Sequence, residues 1–303
     1  METPPRQLSL LTDVMPRIWI SKSERPAPNP VLRGSLFGLV RRGSQDSLKD
    51  FVVYEDKSMT VLYTGVALGQ PDLDVWLCLI QKVGQKFMDP DMKTVTLELR
   101  PSQFMREIGR TGGESGRIGS SDRDWLVKSL LRLTGSIVIQ SPDRKKGIMG
   151  RLVTRAAWND DQDRLLVEID NFVGYLFSSG YSQMNLGVRK TLMGDDLSLW
   201  LQAFISSHKK SGEFFYSVET LMARCRSRTP EPRKFKYRVS EKMRRLMGLS
   251  PSERGFQRWL WDGDILRVFF SEIRCIRWLD EHPDVRLPRE EQEKKVDTAT
   301  PRP

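Results

Sequence analysis

The sequence predicts an α+β chain in which one helix–helix–helix–hairpin order is used twice. Three observations carry that expectation. Short β-branched and aromatic strands alternate with amphipathic helices, the same element order recurs in each half, and the third helix of the second half is strongly basic. The 303 residues suit two domains with loose ends. Residues 1–30 hold six prolines and no long periodic segment, which predicts a flexible arm. Residues 31–180 and 181–280 are then the two folded domains, and residues 281–303, rich in Glu, Lys and Pro, a disordered tail.

In the first half, Phe51–Tyr54 and Thr60–Tyr63 are strand-like around a polar turn. Asp72–Val83 places Leu73, Trp76, Leu77 and Ile80 at helical spacing. Thr94–Leu99 alternates as a strand, and Pro101–Ile108 begins a short helix. Ser121 with Asp124 three residues on predicts a capped helix, its Leu126, Leu130 and Leu133 inward and Arg123, Lys128 and Arg132 in solvent. Ser136–Gln140, Gly150–Thr154 and Arg164–Ile169 complete a hairpin or meander whose tip carries Arg144, Lys145 and Lys146. In the second half, Asp195–Ser207 is amphipathic, Ser217 caps a short helix, and residues 230–247 form the third. Asp262-Gly263-Asp264 then turns a hairpin between Phe256–Trp261 and Ile265–Phe270. This is the order of a winged helix-turn-helix, so the predicted fold is two tandem winged-helix domains. In such a domain the third helix can enter a major groove while the hairpin reaches nearby backbone.

Several enzyme classes lack their residues. The two histidines, His208 and His282, are far apart, no HExxH or zinc-spaced Cys/His set occurs, and GxSxG is absent. The glycines from Gly109 to Gly119 lack the Lys-Ser/Thr of a phosphate loop and read as a turn between helices. Asp160-Asp161 and Asp195-Asp196 read as a turn and a helix start. No catalytic residues, metal ligands or cofactor are expected. Cys78, Cys225 and Cys275 are widely spaced and predict no disulfide framework. With no apolar run of membrane-spanning length and no signal peptide, a soluble cytoplasmic protein is expected.

Charge is more informative. The chain carries +10 at pH 7, which favours polyanions. From Arg224 to Arg245 ten basic residues face only Glu231 and Glu241, a local charge of +8 within 22 residues. Thr229 before Pro230 suggests an N-cap with proline at the first helical position. Phe235, Val239, Met243 and Leu246 then form a line for burial, and Lys234, Arg238, Lys242 and Arg245 a neighbouring basic line. Arg226, Arg228 and Arg233 extend the basic segment at its start. A membrane-surface helix would need a broader apolar face, so DNA is the expected partner. A weaker basic surface in the first half comprises Arg117, Arg123 and Lys128, with Arg144, Lys145 and Lys146 at the hairpin tip; it fits a second DNA contact or ordinary surface charge equally well.

The arm contains Gln7-Leu8-Ser9-Leu10-Leu11, which resembles the short peptide by which bacterial polymerases and replication factors dock on the sliding clamp. Gln7 can hydrogen-bond at a pocket rim while Leu8, Leu10 and Leu11 enter apolar subsites. That peptide, Tyr63-Thr-Gly-Val-Ala-Leu68 with Asp74-Val-Trp76, Phe177-Ser-Ser-Gly-Tyr181 and Ser206-Ser-His208 together resemble the TrfA family of plasmid replication initiators, thinly from about residue 7 to about 270. The resemblance implies a bacterial protein whose tandem winged-helix domains bind repeated duplex sites (iterons) in a plasmid origin. It further implies strand opening with contacts to single-stranded origin DNA, recruitment of the sliding clamp, the host helicase and the host initiator, and a monomer–dimer equilibrium, without nucleotide hydrolysis. A winged-helix transcriptional repressor and an origin-nicking enzyme are the alternatives, together with a scaffold that meets an acidic partner. The clamp-like peptide argues against a repressor, and the missing paired histidines against a nickase.

Overall fold

Five elements occur twice in the same order. The computed structural model describes residues 24–41, 46–84, 93–110, 118–209, 212–285 and 287–288. In the first unit helix α2 (Gln70–Val83) leads to strand β6 (Thr94–Leu99), helices α3 (Pro101–Glu107) and α4 (Ser120–Leu133), and a hairpin of β9 (Arg155–Asn159) and β10 (Arg164–Asp170). In the second, α7 (Asp196–Ser206) leads to β12 (Glu213–Ser217), α8 (Val218–Cys225), α9 (Pro232–Met247) and a hairpin of β13 (Arg258–Asp262) and β14 (Ile265–Phe269). The sheet orders match as well, β6-β10-β9 and β12-β14-β13, each antiparallel with the last strand in the middle.

The local reasons are legible in the chain. Pro71 sits in the first turn of α2, and the Asp72 carboxylate accepts the Gly69 N–H at 3.0 Å, which holds an otherwise orphaned donor. Asp195 caps α7 by accepting the Ser198 N–H at 3.2 Å, and Ser217 caps α8 through the Thr220 N–H, also at 3.2 Å. Gly263, with φ of 55°, supplies the left-handed position that the two-residue turn between β13 and β14 requires. Apolar positions of α2 and β10 feed a first buried cluster around Trp76, Phe104 and Ile139. Those of α7, α9 and the second hairpin feed another around Trp200, Phe204, Phe235 and Trp259.

The structure departs from expectation at several places. In the first unit a hairpin of β7 (Ser136–Gln140) and β8 (Gly147–Arg151) intervenes between α4 and β9, and joins β3 (Ser47–Glu55) and β4 (Thr60–Val66) in a sheet of order β3-β4-β7-β8. The strand expected over Gly150–Thr154 therefore straddles the corner between β8 and β9. The basic tip belongs to this extra sheet, and the hairpin equivalent to β13–β14 is tipped by Asp160-Asp161-Gln162-Asp163 instead. Helix α4 starts two residues earlier in its cap register, because Asp122 rather than Asp124 bonds back to the chain, at the Gly119 N–H 3.3 Å away. Helix α9 starts at Pro232 rather than Pro230.

Residues 24–30 of the arm expected over residues 1–30 are folded, and residues 1–23 lie outside the described residues. Strand β1 (Glu24–Pro28) pairs antiparallel with β11 (Tyr181–Asn185), and its two prolines are tolerated because β1 is paired on one side only. It continues into α1 (Asn29–Arg33), beyond which β2 (Phe37–Gly38) pairs in parallel with β5 (Leu68–Gly69). Short helices α5 (Val173–Leu176) and α6 (Leu186–Thr191) flank β11, and α10 (Pro251–Arg254) follows α9. Helix α11 (Glu272–Glu281) is an addition to the expected elements. It covers the outer face of the second hairpin, where Leu260, Phe269 and Cys275 are buried, and Val285 and Leu287, expected in a disordered tail, pack there too. Among the described residues no helix is long and apolar enough to cross a membrane.

Two polar clusters join the units. Arg189 of α6, 2% exposed, pairs with Asp74 of α2 and donates to Gln70 Oε1 at 3.0 Å, Gln202 Oε1 at 3.3 Å and the Leu199 carbonyl at 3.3 Å. Nearby, Arg33 donates to the Ser207 carbonyl, and Arg224 donates to the Arg33 carbonyl at 2.8 Å while lying over the Tyr216 ring. Buried His208 stands against this second cluster, with Tyr216 Oη 3.2 Å from its Nε2.

Replacing Arg189 with Met should lower stability by about 3–5 kcal/mol, since Asp74 would stay buried without its partner; a loss under about 1 kcal/mol in denaturant titration would remove the pair from this role. Burial, reinforced by the Arg33 and Arg224 cations, lowers the His208 pKa from 6.5 to about 4. The unfolded chain therefore binds the extra proton first, and His208 is expected to withdraw about 3 kcal/mol of stability as pH falls from 6.5 to 4. A His208→Phe variant should lose that component of the stability–pH curve.

Candidate nucleic-acid interface

Helix α9 presents the densest positive charge. Its apolar line, Phe235, Val239, Met243 and Leu246, is buried as the spacing predicts, against α7 and α8. The basic line beside it is only partly free. Lys242 and Arg245 reach Asp195 at 3.3 and 2.7 Å, and Arg245 also donates to the Thr191 carbonyl at 3.2 Å. Burial alone would raise the Asp195 pKa, but hydrogen bonds from Ser198 and the two cations outweigh it and hold the carboxyl below its ordinary value. The same carboxylate thus caps α7 and anchors the C-terminal half of α9.

At the other end of the line Lys234 pairs with Glu231 at 2.7 Å, and Arg238 donates to Thr229 Oγ1 at 2.7 Å. Both are exposed, and neither contact is strong enough to prevent transfer to a phosphate. The side chains of Arg233 and Arg244 are exposed and make no ion pair or hydrogen bond among the described residues. Arg228 is exposed but pairs with Asp46. Lys236 points sideways, donating to the Gly263 carbonyl and to Asp264 at 3.0 Å, with its Nζ 5.0 Å from the Trp261 ring centroid.

Arg226, expected to contact DNA, is turned inward. It terminates α8 in a left-handed conformation, φ 54°, and its guanidinium donates to the carbonyls of Leu36, at 3.4 Å, and Leu68. Burial lowers its pKa to about 10. It docks α8 onto the β2–β5 strands, a use of charge that composition could not distinguish from ligand binding.

The first unit supplies much less. Arg117, like the clamp-like residues Gln7, Leu8, Leu10 and Leu11, lies outside the described residues. Arg123, expected in solvent, donates to the Asp160 carbonyl at 3.2 Å and to Asp163 at 3.3 Å. Arg132, also expected in solvent, forms a paired contact with the buried Asp72, its closest approach 2.6 Å. Lys128 is exposed on α4 beside a cleft of about 540 Å³ that Arg41, Arg110 and Trp125 also line. The outer ridge of α4 otherwise carries Ser121, Asp124 and the 70% exposed Leu131. Arg144, Lys145 and Lys146 are exposed at the β7–β8 tip, away from the hairpin that follows α4 in the repeated order. Both of those equivalent hairpin tips, Asp160–Asp163 and Asp262–Asp264, are acidic and would repel phosphate rather than attract it.

The basic line chosen by spacing leaves out Arg244, though the charge count includes it, and both pass over Tyr237. Tyr237 is 70% exposed in the middle of the outer face of α9. Its spacing of four from Arg233 is the available signal, but a search for cations skips an aromatic. Among the described residues no cluster of His, Cys, Asp and Glu is disposed to hold a metal ion. A helix with one buried face and cations along its exposed side fits the roughly 12 Å width of a B-DNA major groove.

Truncating Arg226 to Ala should cost about 2 kcal/mol in thermal or denaturant unfolding, because the Leu36 and Leu68 carbonyls lose the guanidinium donor. Arg233→Ala should stay within about 0.5 kcal/mol of the native chain in the same assay. Equal effects of the two changes would show that Arg226 is as peripheral as Arg233.

No known family profile matches the chain, and no curated protein sequence matches it. Among solved structures the chain is similar to domains 2 and 3 of RctB, with a TM-score of 0.51, covering 80% of this chain and 97% of that one. The two share 12% sequence identity, so what they have in common is fold.

Proposed function

We propose that this chain is a DNA replication initiator in which the two repeated units act as tandem winged-helix modules and α9 is the recognition helix of the second. The observation that carries this is that the C-terminal part of the basic segment folds as α9 with its apolar line inward and Arg233, Lys234, Arg238 and Arg244 outward. The fold shared with RctB, a replication initiator of Vibrio chromosome 2, supports the same class. The finer assignment, a TrfA-like plasmid initiator acting on iterons and recruiting the clamp, helicase and host initiator, is supported by the sequence blocks. In this proposal the protein has no catalytic activity of its own. Its work is binding, with Arg and Lys neutralising backbone phosphate and thereby releasing counterions.

Titration against duplex DNA at two salt concentrations tests the interface. Arg233→Ala combined with Arg244→Ala should weaken binding and flatten the slope of log affinity against log salt by about 0.9 for each phosphate left without its cation. An unchanged slope would place α9 outside the interface. The clamp-like peptide is tested separately, because Leu8→Ala with Leu10→Ala should leave duplex affinity intact and eliminate capture of a bacterial sliding clamp. Retention of clamp capture would discount the peptide.

A further inference from the structure

Around α9, charge is sorted by direction. At about 100° per residue, the direction opposite to the buried line falls between Tyr237 and Glu241, each within about 25° of it. Arg233 and Arg244 lie to one side of that ridge, and Lys234, Arg245 and Arg238 to the other. The two residues at the crest are therefore an aromatic and an acid, with cations on both flanks. Tyr237 is 70% exposed and makes no hydrogen bond or ring contact among the described residues. Glu241 is 55% exposed and meets the adjacent Lys242 at 2.9 Å.

A helix seated in a major groove aims its crest at base edges and its flanks at the two sugar–phosphate walls. A carboxylate on a wall would be repelled by phosphate. On the floor it can accept a hydrogen bond from an exocyclic amino group, as from cytosine N4. A phenol ring there has an apolar face for a thymine methyl and a hydroxyl for a base edge. We infer that Tyr237 and Glu241 are the residues by which α9 distinguishes base sequence, Glu241 selecting an amino-bearing base, while the flanking cations hold the backbone. This rests on the DNA-binding function proposed above and identifies where its specificity resides.

Selection from a pool of duplexes with a randomised 20-base-pair core tests it, comparing the native chain with Tyr237→Ala, Glu241→Ala and Arg233→Ala. The native chain should enrich a motif. Tyr237→Ala and Glu241→Ala should each lose the preference at one or two positions, by on the order of tenfold per position. Glu241→Ala should at the same time bind unselected duplexes more tightly, since a charge repelling phosphate has gone. Arg233→Ala should keep the motif and lose affinity for all duplexes alike. If both crest variants enrich the native motif with native discrimination, the inference is wrong while DNA binding stands. If the native chain enriches nothing, the proposed function fails together with it. Thermal unfolding of each variant verifies that these exposed positions leave the fold intact.

Discussion

A guanidinium buried in protein needs an acceptor for its N–H groups, and Arg189 draws its acceptors from both halves of the chain. Asp74 and Gln70 come from α2, while Gln202 and the Leu199 carbonyl come from α7. Either side alone would leave charge or donors unsatisfied in a site where that is expensive. The halves are therefore fixed in one mutual arrangement by a polar requirement more directional than apolar contact. That arrangement propagates outward. Helix α7 is capped by Asp195, and Asp195 in turn grips Lys242 and Arg245 of α9. The direction in which the exposed face of α9 points relative to the first half follows from that chain of contacts.

The same connections explain why net charge overstates the interface. Arg224 and Arg226 brace the junction with the first half, Arg228 is tied to Asp46, Lys236 to the second hairpin, and Lys242 with Arg245 to Asp195. The basic segment thus does two jobs, and only its outward residues are available to a ligand. The tie between a third-helix cation and a hairpin tip occurs in both units, as Arg123 to Asp160 and Asp163 and as Lys236 to Gly263 and Asp264. Each helix and its hairpin are braced as one piece.

Elements with a strong period of their own are legible in the sequence. Helices α2, α7 and α9, strands β6 and β10 and the Asp-Gly hairpin fall where spacing and turn chemistry put them. What escapes the sequence depends on partners distant along it. Strand β1 is short and proline-bearing, and exists because β11 is there to pair with it. Helix α11 has exposed Ile273 and Ile276, which blur its buried side, and acquires a core only against the second hairpin. The β7–β8 hairpin is visible, but its allegiance to β3 and β4 rather than to the helical unit is a matter of register across the sheet. Of the outward cations of α9, those on its N-terminal part are identifiable from charge and spacing. Arg226 is not separable from them in the sequence, because the same guanidinium chemistry serves carbonyls and phosphates alike.

Strand β1 has one more implication. By pairing with β11 it fixes Glu24 at the seam between the halves, so everything upstream is leashed to that point. Leu11 is thirteen residues before Glu24, and a chain of that length reaches at most about 45 Å whatever its conformation. Anything gripped by Gln7–Leu11 would stay within that radius of the seam, at an effective concentration set by leash length rather than by additional contacts.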